Sequence, residues 1–405
     1  MEWKEAKIGD LGQIITGKTP KTAIKKNWGG KIPFLSPSAD MSNKTSPVTA
    51  RTLTELGVAE VAKCLIPANS ICVSCIGSDL GKVVKTDREL VTNQQINTIV
   101  PHSNVDSDFV YYLMCIVGKE LNYISKTSTA VPIINKSTFS DWNIVIPEKV
   151  EDQRRIASIL SSLDRKIELN NKINADLEEM AQAIFKNWFV DFEPFKDGKF
   201  VDSELGMIPE GWKVGRLDEI ADVVGGSTPS KAKPEYYTQK GIAWLTPKDL
   251  SNHPAVYSSR GEIDITEEGY NSTSTKLMPK GTVLFTSRAP IGYISIAQND
   301  ICTNQGFKSL VPKKAGTCFL YCFLKYVTPE IENKSTGSTF KEASGSLMKS
   351  LQVIIPEQNV FEEFEAIVSP LFARIESLEK ENSRLSTLRD TLLPRLMSGE
   401  LEVPE

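Results

Sequence analysis

The chain is poor in histidine, with only His102 and His253 in 405 residues. Neither stands near a serine or cysteine in a nucleophile arrangement, so both read as surface or structural residues. Long apolar runs are also missing. The longest, 109–117 and 319–324, fall well short of the roughly 20 residues a membrane helix needs. No basic and apolar leader opens the chain, and a cytoplasmic protein with no membrane partner is expected. The seven cysteines are an odd number without regular spacing, which fits a reducing compartment. Cys72 and Cys75 form a C-x-x-C inside a strand-like run with no second pair at zinc spacing, so they read as small buried hydrophobes, as do Cys318 and Cys322. No metal site is expected. The run from Gly77 to Val83 is one residue short of a phosphate loop and lacks its Ser/Thr, so it reads as a turn. There is no Asn-Pro-Pro-Tyr-type motif, no glycine-rich cofactor loop after a strand and no nuclease carboxylate cluster. A chain that catalyses nothing by itself is expected.

What the chain does have is a long uninterrupted helical pattern from Glu151 to Phe192, without glycine and with proline absent until its end. Roughly 38 helical residues would span about 57 Å. With Ile156 at a heptad a position, Leu163 and Leu177 share that seam, with Ile159, Ile173 and Met180 at d. A shift of 208 residues lands on a second such pattern, with Phe364, Leu371, Leu378 and Leu385 at a and Ile367 and Leu388 at d. Two helices with narrow apolar seams bury each other, and the intervening block requires the chain to return, so an antiparallel coiled coil is expected. Asn170, at an a position, is expected to set register opposite Leu378. Pro370 is expected to bend the second helix and Pro394 to end its regular part.

An internal repeat governs the rest. Trp3-Lys4 and Gly17-Lys18-Thr19-Pro20 match Trp212-Lys213 and Gly226-Ser227-Thr228-Pro229 at an offset of 209. Ile32 to Pro37 matches Ile242 to Pro247, and Thr92-Asn93-Gln94 matches Thr303-Asn304-Gln305. Each block shows short β-branched runs between Gly, Pro, Asn and Ser turns, interrupted by one amphipathic helix, 108–122 and 317–325. The expected fold is α+β: two similar domains of mostly antiparallel sheet plus helices, joined by the two long helices in a pseudo-twofold chain. The expected division is 1–150, a helix over 151–192, connector and second block over 193–356, and a second helix over 357–405.

The formal charge of −4 is unevenly spread. Residues 1–150 carry +3 and 200–356 carry +1, whereas 151–199 carry −2 and 357–405 carry −6. The negative charge lies on the helices, leaving the blocks free to present basic faces. Lys18, Lys21, Lys25, Lys26 and Lys31 crowd the loop after the first Thr-Pro, with Trp28 among them; the second copy has Lys231, Lys233 and Lys240 with Tyr236 and Tyr237. Flexible ammonium groups with interleaved aromatics suit nucleic-acid phosphate and base contact, though a solvated lysine loop reads the same way. A second polar loop recurs at Lys126 to Ser128 and at Lys334 to Ser338, and Arg288 is a candidate for a bidentate guanine contact or a surface ion pair. The Asn93-Gln94 and Asn304-Gln305 elements either read bases or cap turns.

Four stretches carry a family resemblance: Glu151-Asp152-Gln153-Arg154-Arg155-Ile156-Ala157 opening the first helix, Ile184 to Phe192 closing it, Gly206 to Trp212 opening the second block, and Leu392 to Leu401 at the end. In that order within a two-copy chain, the sequence resembles the specificity subunits of type I restriction-modification systems over essentially its whole length. The resemblance implies a non-catalytic DNA-recognition subunit with two target-recognition domains, each reading half of a bipartite duplex target, and a coiled coil that sets the gap. It further implies two modification (methyltransferase) subunits and, in the full complex, restriction subunits as partners. Methyl donor and ATP would bind those partners, so no cofactor is expected here. Exposed helix faces and the aromatics Trp188 and Phe189 become candidates for docking the modification subunits, or for packing on the recognition domains. A stand-alone methyltransferase or nuclease and a structural adaptor are the competing classes.

Overall fold

The computed structural model describes residues 1–37, 41, 49–77, 79–127, 133–335 and 341–403. In chain order its helices are α1 (Glu55–Glu60), α2 (Ser107–Thr127), α3 (Lys136–Ser140), α4 (Val150–Phe189), α5 (Pro247–Asn252), α6 (Glu267–Asn271), α7 (Thr317–Lys334), α8 (Gly345–Ser350) and α9 (Gln358–Met397). The chain forms two compact units. Residues 1–168 and 383–405 make the first, and 169–382 the second, so α4 and α9 each contribute to both.

In the first unit, strands 12–16, 96–101, 71–74 and 83–85 form a four-stranded antiparallel sheet in that spatial order. A second four-stranded sheet runs 51–53, 28–35, 90–92 and 65–66, with 28–35 and 90–92 parallel. The ribbon of Trp3–Lys7 with Asn143–Pro147 brings both ends of the block together beside α4. Strand 71–74 is buried on every residue because one sheet face packs on α2 and the other on a small cluster with Leu35, Ile66 and Val84. Cys72 and Cys75 lie in that packing, and burial pushes their thiols up to about 12 and about 11.

The second unit repeats the plan. Strands 221–225, 308–312, 283–287, 291–297 and 257–258 form a five-stranded sheet, covered by α7, and the ribbon Lys213–Arg216 with Gln352–Ile355 closes the block. α7 starts on Gly316, which offers no side-chain cap. The orphan amides of Cys318 and Phe319 donate instead to the Glu365 carboxylate of α9, at 3.3 and 2.8 Å.

Within each unit the two long helices run antiparallel. In the second, Asn170 approaches Asn382 while Phe189 approaches Phe361. In the first, Asp164 meets Arg389 while Ile156 packs in one cluster with Leu393, Leu396 and Met397. Asn170 is fully buried, and its amide donates to Glu381 at 2.9 Å and Asn382 at 2.8 Å, so its polar partners are these and not Leu378.

The seam departs from the heptad. Ile156, Phe364 and Leu378 are fully buried, and Ile159, Leu163, Ile173, Leu177, Leu371 and Leu385 are half-buried. Met180, Ile367 and Leu388, expected at d, are about half exposed, at 51%, 48% and 47%. The buried face of α9 runs Phe361, Phe364, Val368, Phe372, Ile375 and Leu378; Phe361, Val368 and Ile375 keep a seven-residue spacing but lie three residues before each a position rather than three after it, and Phe372 widens the stripe beside Leu371. This wider stripe serves a globular domain as well as a partner helix. Trp188 and Phe189 belong to this packing. Phe189 is 5% exposed and lies 4.9 Å from Phe319 and 5.1 Å from Phe364, so it is core rather than a docking surface.

Prolines do not stop α9. It runs through Pro370 and Pro394, as α7 runs through Pro329. All three are exposed, where water can satisfy the carbonyl each leaves unpaired, and the burial of several aromatic and branched side chains, worth about 1.5–3 kcal/mol each, outweighs the roughly 3 kcal/mol cost of an interior proline.

Candidate nucleic-acid interface

The lysine loop of the first unit is held at four points. Gly17 lies so close to the Thr92 and Asn93 carbonyl oxygens that a Cβ there would overlap them. Two residues on, Thr19 Oγ1 donates to Gln94 Oε1 at 2.7 Å, and the Gln95 amide donates to Asn93 Oδ1 at 3.0 Å, so the Asn-Gln element caps a turn and ties down the Thr-Pro segment. Next, the Glu60 carboxylate of α1 accepts from the Lys21 amide at 3.0 Å and from Asn27 Nδ2 at 2.7 Å. Finally Thr54, the N-cap of α1, donates its hydroxyl to the Lys26 carbonyl at 2.7 Å, and Gly57 faces the Asn27 carbonyl where a Cβ has no room. With the backbone fixed, Lys18, Lys21, Lys25, Lys26 and Lys31 are all exposed. Flexible charged stems on a rigid loop suit contact with a regularly spaced row of phosphates.

The second unit builds the same braces from different residues. Thr228 donates to Gln305, the Gly306 amide donates to Asn304 Oδ1 at 2.8 Å, and Gly226 crowds the Thr303 and Asn304 carbonyls. Thr266, the N-cap of α6, donates to the Glu235 carbonyl at 3.1 Å, and Gly269 faces the Tyr236 carbonyl. Lys231, Lys233 and Lys240 are exposed. Tyr236 corrects an expectation: its ring is 7% exposed and its hydroxyl accepts from Lys233 Nζ at 2.8 Å, which holds that ammonium above its ordinary pKa. Tyr237 likewise donates to the Pro229 carbonyl at 2.6 Å. Both tyrosines brace the loop, because the three-residue turn Pro234–Tyr236 rotates them inward.

The remaining sequence candidates divide. Lys126 is exposed but lies in the last turn of α2, and Lys334 ends α7 in an i,i+4 ion pair with Glu330 at 2.6 Å, so neither is on a loop as expected. The helices run on because nothing in either last turn breaks them. Ser128 and Ser338 lie outside the described residues. Arg288 is half-buried and reaches the Glu342 carboxylate at 3.5 Å, which Lys308 shares at 3.5 Å. Its ion-pair reading is thus realised in this structure. Sequence reasoning missed the bracing pair Thr54/Gly57 and Thr266/Gly269. Its signal is the repeated Thr-Glu-x-Gly, at an offset of 212 where the flanking repeats keep 210 and 211.

The sequence profile of the type I restriction modification DNA specificity domain matches this chain twice, over residues 1–179 and 209–387. The chain belongs to the type I specificity subunits. Among its relatives is the type I restriction enzyme MjaIX specificity subunit of Methanocaldococcus jannaschii, 34% identical over 417 residues, covering 100% of this chain and 94% of the relative. The HindI specificity subunit of Haemophilus influenzae is 25% identical over 468 residues, covering 99% and 100%. A crystal structure of the S subunit of a type I restriction-modification system from M. genitalium shares the fold, with a TM-score of 0.58 at 19% identity, covering 100% of this chain and 97% of that one. This type I specificity subunit therefore carries two target-recognition domains and is a non-catalytic DNA-recognition component, of a family that works with methyltransferase and restriction subunits. Among the described residues no helix is long and apolar enough to cross a membrane.

Proposed function

We propose that this specificity subunit reads a bipartite duplex target, one half with the domain of residues 1–150 and the other with residues 193–356. The spacer helices, 151–192 and 357–405, fix the unspecified gap and dock two modification subunits, with restriction subunits joining in the full complex. Methyl donor and ATP reside on those partners. The observation that carries this reading is the twofold recurrence of the braced lysine loop, in which Thr19–Gln94 and Thr54–Gly57 correspond to Thr228–Gln305 and Thr266–Gly269.

In this account Lys18, Lys21, Lys25 and Lys26, and in the second domain Lys231 and Lys233, meet phosphates and set each domain's register on the duplex. Lys126 and Lys334 flank these contacts, and Arg288 exchanges Glu342 for a base edge on binding. Ser128 and Ser338 belong to the same proposed surface. Two domains held by helices of 40 residues, about 60 Å long, can address half-sites about one turn, 34 Å, apart. A salt titration of duplex binding by the reconstituted methyltransferase complex tests the phosphate contacts. Affinity should fall by orders of magnitude between about 50 and 200 mM salt, whereas an adaptor binding through apolar surface would show almost no slope.

A further inference from the structure

We propose that Arg51 is the residue with which the first recognition domain reads a guanine, an assignment that rests on the bipartite reading above. Arg51 opens strand 51–53, which pairs antiparallel with strand 28–35 so that Arg51 lies opposite Phe34. Its guanidinium carbon is 3.4 Å from the centroid of the Trp28 ring and 6.0 Å from that of Phe34, and the two rings meet edge to face at 5.2 Å. Trp28 is itself anchored, its Nε1 donating to the Lys21 carbonyl at 3.4 Å. A guanidinium laid flat on an indole keeps its in-plane N–H fork unspent, and much of its rotamer freedom is already lost before DNA arrives.

The fork has no carboxylate or hydrogen-bond partner among the described residues, and the side chain is exposed. Arg88, the other arginine of residues 1–150, is by contrast clamped by Asp87 through Nε at 3.1 Å and Nη2 at 2.8 Å. Arg51 also shares the lysine loop's scaffold, since its strand runs directly into Thr54, which holds the Lys26 carbonyl. Five exposed lysines already supply charge for phosphate there. The planar fork adds what they lack, a bidentate match to the O6 and N7 acceptors of guanine in the major groove.

Among its described residues the second domain lacks this device. Tyr237 and Trp244, with centroids 6.0 Å apart, repeat the Trp28–Phe34 pair, and the matched Thr54/Thr266 caps place Ile263 where Arg51 stands. Ile263 packs on the cluster around Trp244 and Ile265. The inference therefore predicts an asymmetry between the half-sites.

Duplexes selected from random DNA by the complex reconstituted with its modification subunit are compared for the unsubstituted chain, Arg51→Lys and Arg51→Ala. The expected result is loss of one G·C preference, about ten- to hundred-fold, in one half-site for both variants, with the other half-site unchanged. Arg51→Lys keeps the charge, so its binding to nonspecific duplex also verifies that the domain remains folded. An unaltered bipartite motif with either variant overturns the inference alone. So does uniform weakening over all sequences with the salt slope reduced by about one, the signature of a phosphate contact. Selection of no motif by the unsubstituted complex overturns the bipartite reading and this inference with it.

Discussion

Tyr112 of α2 donates its hydroxyl to Asp164 of α4, and Arg389 of α9 binds the other oxygen of the same carboxylate at 2.8 Å. Three elements of the first unit thus converge on one buried acid. In the second unit Tyr321 holds the place of Tyr112 and Phe372 that of Asp164. Tyr321 packs edge-on to Phe372 at 5.1 Å and donates to Glu178 at 2.9 Å instead. The repeat preserves the tyrosine while exchanging the chemistry beneath it. Replacing Asp164 with alanine removes the shared acceptor of a buried hydroxyl and a half-buried guanidinium, leaving Arg389 only its pair with Asp390 at 2.9 Å, and is expected to destabilise the first unit by about 3 kcal/mol. Thermal unfolding should show a drop of several degrees, while Tyr112→Phe, which removes only a donor, should cost about 1 kcal/mol. Equal effects of the two substitutions would contradict the convergence.

Gly57→Ala and Gly269→Ala test the loop braces without touching a charge. A Cβ at either position collides with the carbonyl of Asn27 or Tyr236, so the lysine loop must shift. Each variant is expected to weaken its own half-site by about tenfold or more while leaving the other half and all lysines intact. Binding to duplexes randomised in one half at a time provides the measurement.

Glu379 of α9 accepts from the Val256 and Tyr257 amides at 2.7 and 3.0 Å. Burial pushes its carboxyl from 4.5 to about 7, with those two amides opposing the shift and Glu178 and Glu376 reinforcing it. The folded protein then binds a proton that the unfolded chain has released between about pH 4.5 and 7, so this group's contribution declines as pH rises through that window. Glu379→Gln, whose amide can accept from only one of the two backbone N–H groups, is expected to flatten the pH dependence of Tm by the equivalent of no more than about 3 kcal/mol. A pH slope identical in both proteins would show that the carboxyl is ionised throughout.

Much of this architecture was legible in the chain because its strongest signals are local. The uninterrupted run of α4, and the repeats Gly-x-Thr-Pro and Asn-Gln, need no knowledge of distant contacts. What escaped depends on tertiary context. The exposed Met180, Ile367 and Leu388 follow from a buried face shared between a partner helix and a sheet domain, which a heptad count alone does not represent. Pro370 and Pro394 fit inside α9 because they fall on its exposed side. The burial of Tyr236 and the support of Arg51 escaped for the same reason. A three-residue turn buries the former, and a tryptophan 23 positions earlier in the chain supports the latter.

If the long helices act as a ruler, four residues inserted into α4 near Asn170 should separate the half-sites by roughly 6 Å, about two base pairs. Sequencing of methylated sites in the reconstituted complex would reveal the change. An unaltered gap would mean that the spacing is set by the partner subunits.

The most direct test of the central claim is selection of bound duplexes from random DNA, using this chain reconstituted with its modification subunit. Two short motifs separated by a fixed unspecified gap are the predicted result, and swapping residues 1–150 for those of a relative should change one motif only. Tight binding without any motif, or a single contiguous motif, would contradict the account.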